Sequence, residues 1–114
     1  MAGGAPAHLR LIIAAVEAMA DERFTLHTIA QSTTPSAPLF LVNGPVIAEL
    51  GLNFGTCALG PGVPSRVNVV IGRALRLCMM NLGHAYPQRS DMDTIGSPIK
   101  FSLVDRRASC RERV

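Results

Sequence analysis

Glycines and arginines cluster around the start of the longest predicted helix in this chain of 114 residues. Gly60 and Gly62 precede that helix, and Arg66, Asn68 and Arg73 follow in its first half. Helix N-termini attract anions, glycine lets the backbone approach a ligand closely, and arginine binds carboxylate or phosphate in a bidentate manner. The pattern predicts a site for a small anionic molecule. Because it is neither a Walker loop nor a dinucleotide fingerprint, turn-forming glycines and a solvated Arg66 are the alternative.

Two further residues are candidates for catalysis. Cys57 lies in the same glycine-rich loop, where a basic neighbour or a helix N-terminus would make its thiol nucleophilic. His84 follows the long helix and has the chemistry of a general base. The alternatives are a free structural Cys57 and a His84 that, like His27, is a surface or hydrogen-bonded residue. No Cys-x-x-Cys pair and no Cys/His cluster with zinc spacing occurs, so the sequence predicts no metal site and identifies no cofactor.

Asn43 and Gly44 come directly after an apolar run, Leu39–Val42, that predicts a buried strand. Ligands of α/β sheets bind outside the carboxyl ends of the strands. We therefore expect both residues to flank the ligand site. The alternative is a turn, because Asn-Gly is a common turn pair.

Apolar residues at three- and four-residue steps predict helices over Pro6–Glu22 and Ser65–Leu82. The second helix is apolar on most sides, so we expect it to be buried, with Ser65 capping its start and Gly83 closing its end.

Arg73 and Arg76 interrupt that apolar helix on one side. Since a buried arginine without a partner is costly, they line a polar cleft or pair with acids such as Asp91 or Asp93.

Short segments with strand character alternate with these helices. They are Phe24–Ile29, Leu39–Val42 and Ile99–Val104, and a helical turn over Val46–Leu50 ends at Gly51. The order predicts an α/β or α+β fold in which a sheet of about three strands packs against the long buried helix and the N-terminal helix. We expect residues 1–104 to form one incomplete domain, whose small core makes it marginally stable.

The basic character of the chain comes mostly from its last ten residues. Residues 105–114 hold four of the eleven basic residues, and without them seven basic and six acidic residues leave a net charge of +1 instead of +3. The segment Ala108–Val114 resembles a translated sequencing adapter, so we expect 105–114 to be a non-native tail. A genuine basic tail is the alternative. Binding to nucleic acid ranks low, because its charge argument depends on this segment.

No apolar run approaches the eighteen or so residues of a membrane span, and the first residues lack the basic start of a signal peptide. We therefore expect a cytoplasmic protein with reduced thiols and no membrane partner.

Seven stretches carry a family resemblance: Ile13–Met19, Phe24–His27, Val42–Pro45, Glu49–Gly51, Gly60–Gly62, Ile71–Leu77 and Met79–Asn81. They are similar to a poorly characterised bacterial family, the domain found with or beside UGSC-type (seleno)proteins. The resemblance covers roughly residues 1–104 and implies thiol- or selenol-linked redox chemistry. Gly4 stands where the family pattern has cysteine, and the Gly-Ser-Cys motif is absent. Because family members continue beyond both ends, the resemblance implies that this chain is a fragment.

Two functional hypotheses result. The first is an enzyme-type domain that binds a small anionic ligand at the Gly60–Arg66 loop, with Asn43 and Cys57 flanking the site. The alternative is a non-catalytic scaffold or subunit domain that packs against a partner carrying the reactive residues. That partner is a second copy of the chain or a different subunit.

Overall fold

The computed structural model describes residues 1–33, 37–58, 63–92 and 101–104, the last four by their backbone alone. The elements in chain order are α1 (Leu9–Ala20), α2 (Leu26–Gln31), β1 (Leu39–Val42), α3 (Val46–Leu50), α4 (Arg66–Asn81) and β2 (Phe101–Val104). Three short 3-10 turns precede α1, α2 and α4. Within the described residues the domain is rich in helix, with mixed helix and strand.

Strands β1 and β2 pair in parallel, with Leu39 opposite Phe101 and Val42 opposite Val104. Parallel neighbours need a crossover connection, and the chain between them supplies α3 and α4. The described part of the chain forms a sheet of these two strands only. The expected sheet of about three strands is therefore not found in these ranges, because one predicted strand is helical.

The strand predicted over Phe24–Ile29 is wrong, because this segment is helical. A 3-10 turn over Glu22–Phe24 leads into helix α2. In α2 the half-buried residues are Leu26, Ile29 and Ala30, which follow the i, i+3, i+4 spacing of a helix. A segment of six residues fits both the strand and the helix period, and packing decides between them.

The other predicted elements are largely confirmed, with shifted ends. The first helix stops at Ala20, where Asp21 bends the chain, and the long helix runs over Arg66–Asn81. Gly51 ends α3 in the left-handed region, at φ 67°. Ser65 does not cap α4 with its side chain, which corrects the expectation, and Leu82 is exposed instead of packed.

One cluster of buried apolar residues forms the core of the described structure. It joins the end of α1, the β1–α3 region and the inner face of α4, and it consists of Met19, Val42, Ile47, Leu52, Ile71, Leu75, Met79 and Ala85. Leu75 is completely buried at its centre. One shared core thus fixes the end of α1, the β1–α3 region and α4 relative to one another.

Several predictions fall outside the described residues. These are the roles of Gly60, Gly62 and Asp93, the first two residues of the strand predicted over Ile99–Val104, and the non-native tail over 105–114. Among the described helices, none has the length and apolar character needed to cross a membrane.

Candidate ligand-binding cleft

Asn68, predicted as a ligand contact, is instead a buried part of the scaffold. Its side-chain oxygen accepts from the Asn53 backbone N–H at 2.9 Å. Its amide nitrogen donates to the backbone carbonyls of Asn53 at 2.9 Å and Ala58 at 3.1 Å. Asn68 therefore fastens the loop before α4 to the helix, and its polar atoms are occupied by backbone.

Ser65 completes this attachment. Its hydroxyl donates to the carbonyl of Cys57 and accepts from the side chain of Asn53, at 3.1 Å for the latter. These bonds hold Cys57 beside the start of α4, where its side chain is exposed. The hydroxyl is thereby used to fix the loop, which explains why Ser65 does not cap the helix.

The three arginines of α4 have different surroundings. Arg66 and Arg73 are exposed and lie two turns apart, which places them on one side of the helix. Arg76 is buried, and its guanidinium donates to the buried carboxylate of Asp91. The structure thus supports the predicted pairing with Asp91 for Arg76, while Arg66 and Arg73 remain on the surface.

The remaining predicted site residues are not brought together. Asn43 is exposed after β1, and Gly44, at φ 92°, accepts from the Ile47 N–H through its carbonyl at the start of α3. The structure therefore gives both residues a turn role. Within the described ranges no hydrogen bond joins Asn43 to Arg66 or Arg73.

Cys57 and His84 lie near opposite ends of α4. The helix has 16 residues, which corresponds to a length of about 24 Å. His84 is exposed, and its ring lies 6.0 Å from that of Tyr86. The two residues are thus too far apart for one to activate the other directly.

A cleft of about 530 Å³ opens beside the C-terminal end of α4. It lies between the end of α1, helix α2 and the segment that follows α4. Its floor is apolar and its rim is polar. The lining residues are Met19, Ala20, Asp21, Glu22, Thr25, Leu26, His27, Ala30, Gln31, Met79, Gly83, Ala85 and Ser90.

The floor of the cleft belongs to the core. Met19, Met79 and Ala85 are buried members of the core cluster that also line the cleft. A Cβ at Gly83 would lie 2.8 Å from the Met79 carbonyl oxygen, so only glycine lets the chain turn this closely after α4. The floor is therefore held by packing instead of by a loose loop.

The wall after α4 is anchored at several points. The buried Arg76–Asp91 pair ties it to α4, and the Met92 N–H donates to the Ala30 carbonyl at 3.1 Å, which ties it to α2. Ser90, a lining residue, donates its hydroxyl to the His84 carbonyl. The bond between Met92 and Ala30 thus connects the wall to α2 on the other side of the cleft.

The rim carries an exposed ion pair. Arg23 donates to both carboxylate oxygens of Asp21, at 2.9 and 2.8 Å. The side-chain hydrogen bonds from Arg23, supported by its backbone N–H, hold the pKa of Asp21 below its usual range. Asp21 is consequently paired with the Arg23 guanidinium.

Thr25 adopts a strained backbone at the mouth of the cleft. Its φ is 51°, in the left-handed region, which a β-branched residue rarely adopts. Such strain persists only where the surrounding structure enforces it, and it concentrates at ligand and catalytic sites. It permits the sharp change of direction from the Glu22–Phe24 turn into α2, which places His27 and Gln31 along the rim.

Sequence reasoning missed this cleft because it predicted a strand where α2 lies. His27 was considered in isolation, and Thr25, Gln31 and Ser90 carried no recognised motif. The available signal was the helical spacing of Leu26, Ile29 and Ala30.

In the part of the chain that the structure describes, no three His, Cys, Asp or Glu residues converge as metal ligands would. No protein-family model, curated protein or solved structure matches the chain.

Proposed function

We propose that this chain is a small-molecule-binding domain whose ligand occupies the cleft between α1, α2 and the segment after α4. The observation that carries the proposal is the cleft's volume of about 530 Å³ over a buried apolar floor. Small-molecule sites are typically clefts of about 300–1,000 Å³ with apolar walls and a few polar groups that orient the ligand. Here Thr25, His27 and Gln31 would provide those groups.

The construction of the cleft favours binding because little reorganisation is needed. Its floor is part of the core, and its wall is fixed by the Arg76–Asp91 pair and by the bond between Met92 and Ala30. Binding to a preformed site avoids the entropic cost of ordering side chains and loops.

The enzyme-type activity and the thiol- or selenol-linked chemistry implied by the UGSC-type resemblance stay predictions, as does a cytoplasmic location with reduced thiols. Cys57 is an exposed thiol whose backbone carbonyl accepts from Ser65 beside the start of α4, and Arg66 is the first residue of that helix. This arrangement is compatible with the chemistry but supplies no second catalytic group among the described residues.

Amide chemical shifts of the ¹⁵N-labelled protein, titrated with benzyl alcohol, test the proposal. We expect the amides of the cleft residues to shift saturably at millimolar concentration. Ala20→Phe fills the cleft from the end of α1 and should weaken binding about tenfold or more, the equivalent of about 1.4 kcal/mol. Ala18→Phe is the matched control, since Ala18 is exposed on the same helix outside the cleft. The absence of saturable shifts at the cleft would contradict the proposal.

The sequence-based anion site is tested in parallel with inorganic phosphate. That site now depends on the exposed Arg66 and Arg73, and the double change to alanine should abolish phosphate-induced shifts at the start of α4. The same double variant should leave benzyl alcohol binding unchanged. If it abolished the response to both molecules, the ligand site would lie at α4 and not in the cleft.

A second candidate function, the subunit domain, is favoured by the outer face of β1. Leu39 and Leu41 are 52% and 68% exposed, whereas Val42, on the opposite face, is buried. Parallel sheets occur almost only with both faces covered. We propose a second copy of the chain as the cover of this face, because the two exposed leucines of one copy can pack against the same two leucines of another across a two-fold axis.

Sedimentation equilibrium tests the second candidate. The protein should form a dimer at micromolar concentration, and Leu41→Glu should give a monomer because it buries two like charges at the axis. Leu82→Glu, at an equally exposed leucine after α4, should leave the dimer intact. A wild-type monomer at all concentrations would contradict this role.

A further inference from the structure

The two long helices direct their C-terminal ends toward the cleft. Met19 and Ala20 are the last residues of α1, and Met79 lies in the last turn of α4. Helix C-termini carry a partial negative charge that favours cations nearby. Neither helix has a basic residue in its last turn, so the side chains of those turns leave this negative potential uncompensated.

Helix α2 does not reverse this potential. Its lining residues extend from Leu26 at its start to Gln31 at its end, so α2 borders the cleft along its whole length and does not direct its positive end alone toward it. Asp21 is paired with Arg23. Glu22 is then the carboxylate of the rim for which the described structure shows no ion pair. No lysine or arginine occurs among the described residues that line the cleft.

The geometry points to an organic cation as the ligand, with an ammonium group at the Glu22 side of the rim and an apolar body on the floor. This inference rests on the proposed function and narrows it to one class of ligand. It also differs in sign from the anion that the sequence pattern suggests for the start of α4. A bare metal ion does not suit the cleft, because the floor is apolar and the volume is that of a small organic molecule.

Three molecules of similar size and different charge test the inference: benzylamine, benzyl alcohol and benzoate, titrated into the full chain at pH 7.5 and low salt. We expect benzylamine to bind about two- to fivefold more tightly than benzyl alcohol, the range of an exposed ion pair. Benzoate should bind most weakly. The preference for the amine should shrink as salt is added, because salt screens exposed charges.

Two substitutions on the rim should change this preference in opposite directions. Glu22→Gln should remove it, so that benzylamine and benzyl alcohol then bind with about equal affinity. Arg23→Ala should increase it, because the Asp21 carboxylate loses its partner. Glu17→Gln is the matched control, since Glu17 is exposed on α1 outside the cleft. Because all three sites are exposed, we expect each of these variants to remain folded.

The possible results separate the two proposals. If benzyl alcohol and benzylamine bind the cleft equally, or if benzoate binds best, the inference on charge is overturned while the small-molecule site stands. If none of the three binds the cleft, both are overturned. An amine preference that persists in Glu22→Gln would also overturn the assignment to this carboxylate.

Discussion

Asn68 and Arg66 are both polar residues at the start of α4, and their burial separates their roles. Asn68 is 2% exposed and bonds to three backbone groups, whereas Arg66 is exposed. A buried backbone group that loses its partner costs about 1–3 kcal/mol. The Asn68 amide therefore carries a large share of the attachment of the loop before α4, beside the bonds of Ser65.

We predict that Asn68→Ala lowers the free energy of unfolding by about 3 kcal/mol, because it leaves backbone groups of Asn53 and Ala58 without partners. Urea unfolding measures the loss. Asn81→Ala, at an exposed position of the same helix, should change stability by less than about 0.5 kcal/mol. If Asn68→Ala also changed stability by less than about 0.5 kcal/mol, Asn68 would not stabilise the loop, and its predicted role as a ligand contact would stand.

The Asp21–Arg23 pair permits a prediction on pH. Since the pKa of Asp21 is lower in the folded than in the unfolded chain, the pair stabilises the fold when the pH is above the ordinary carboxyl range. That contribution is lost as the pH falls through the folded-state pKa. NMR titration of the Asp21 carboxyl carbon should show the low pKa and its return toward the usual range in Arg23→Ala. An Arg10→Ala control should leave it unchanged, and a low pKa in both variants would contradict the assigned cause.

At the scale of elements, the length of a pattern decides how well the sequence predicts it. The pattern of α4 repeats over more than four turns, so its helix was predicted with nearly correct ends. α2 has only six residues, and the segment in which it lies also matches a strand, since Phe24, Leu26 and Thr28 alternate along it. The cleft was missed for that reason, since four of its thirteen lining residues lie on α2.

The sequence predicts that Arg76 needs an acidic partner, but it does not show which residue that partner is. A buried arginine requires an acid, and the sequence offered Asp91 and Asp93 as candidates for Arg76. The choice of Asp91 depends on the turn after α4, where the N–H groups of Arg89, Ser90 and Asp91 all donate to the Tyr86 carbonyl. Sequence patterns do not specify the direction of such a turn.

We predict that Asp91→Ala lowers stability by about 3–5 kcal/mol, because it leaves the Arg76 guanidinium buried without its partner. Replacing the pair by Arg76→Met with Asp91→Leu should cost less than Asp91→Ala alone, since no charge is then buried. Arg73→Ala, one turn away and exposed, is the control and should be nearly neutral in urea unfolding. Equal losses in the single and double variants would show that the ion pair has no role in holding the wall of the cleft.

At the scale of the whole molecule, the two faces of the β1–β2 sheet are covered unequally in the described structure. Helices pack on one side of the β1–β2 pair, while Leu39 and Leu41 face outward. The mixed fold could be inferred from the alternation of elements. The parallel pairing could not, because register and partner choice depend on contacts between segments some sixty residues apart in the chain.

The small core makes the domain sensitive to single cavities. Leu75 is completely buried and joins α4 to the rest of the cluster, so Leu75→Ala should cost about 3–4 kcal/mol. That loss approaches the total stability of a marginal domain, about 5 kcal/mol. Leu82→Ala removes the same atoms from a leucine that is 73% exposed and should be nearly neutral.

Thermal unfolding followed by circular dichroism compares these variants. Leu75→Ala should unfold far below the wild type or fail to fold at 25 °C, and the milder Leu75→Val should cost about 1 kcal/mol, so that a folded protein remains for comparison. Because Met79 belongs both to this core and to the floor of the cleft, loosening at Leu75 should also weaken benzyl alcohol binding in Leu75→Val. Equal unfolding temperatures for Leu75→Ala and Leu82→Ala would show that the cluster around α4 does not determine the stability of the fold.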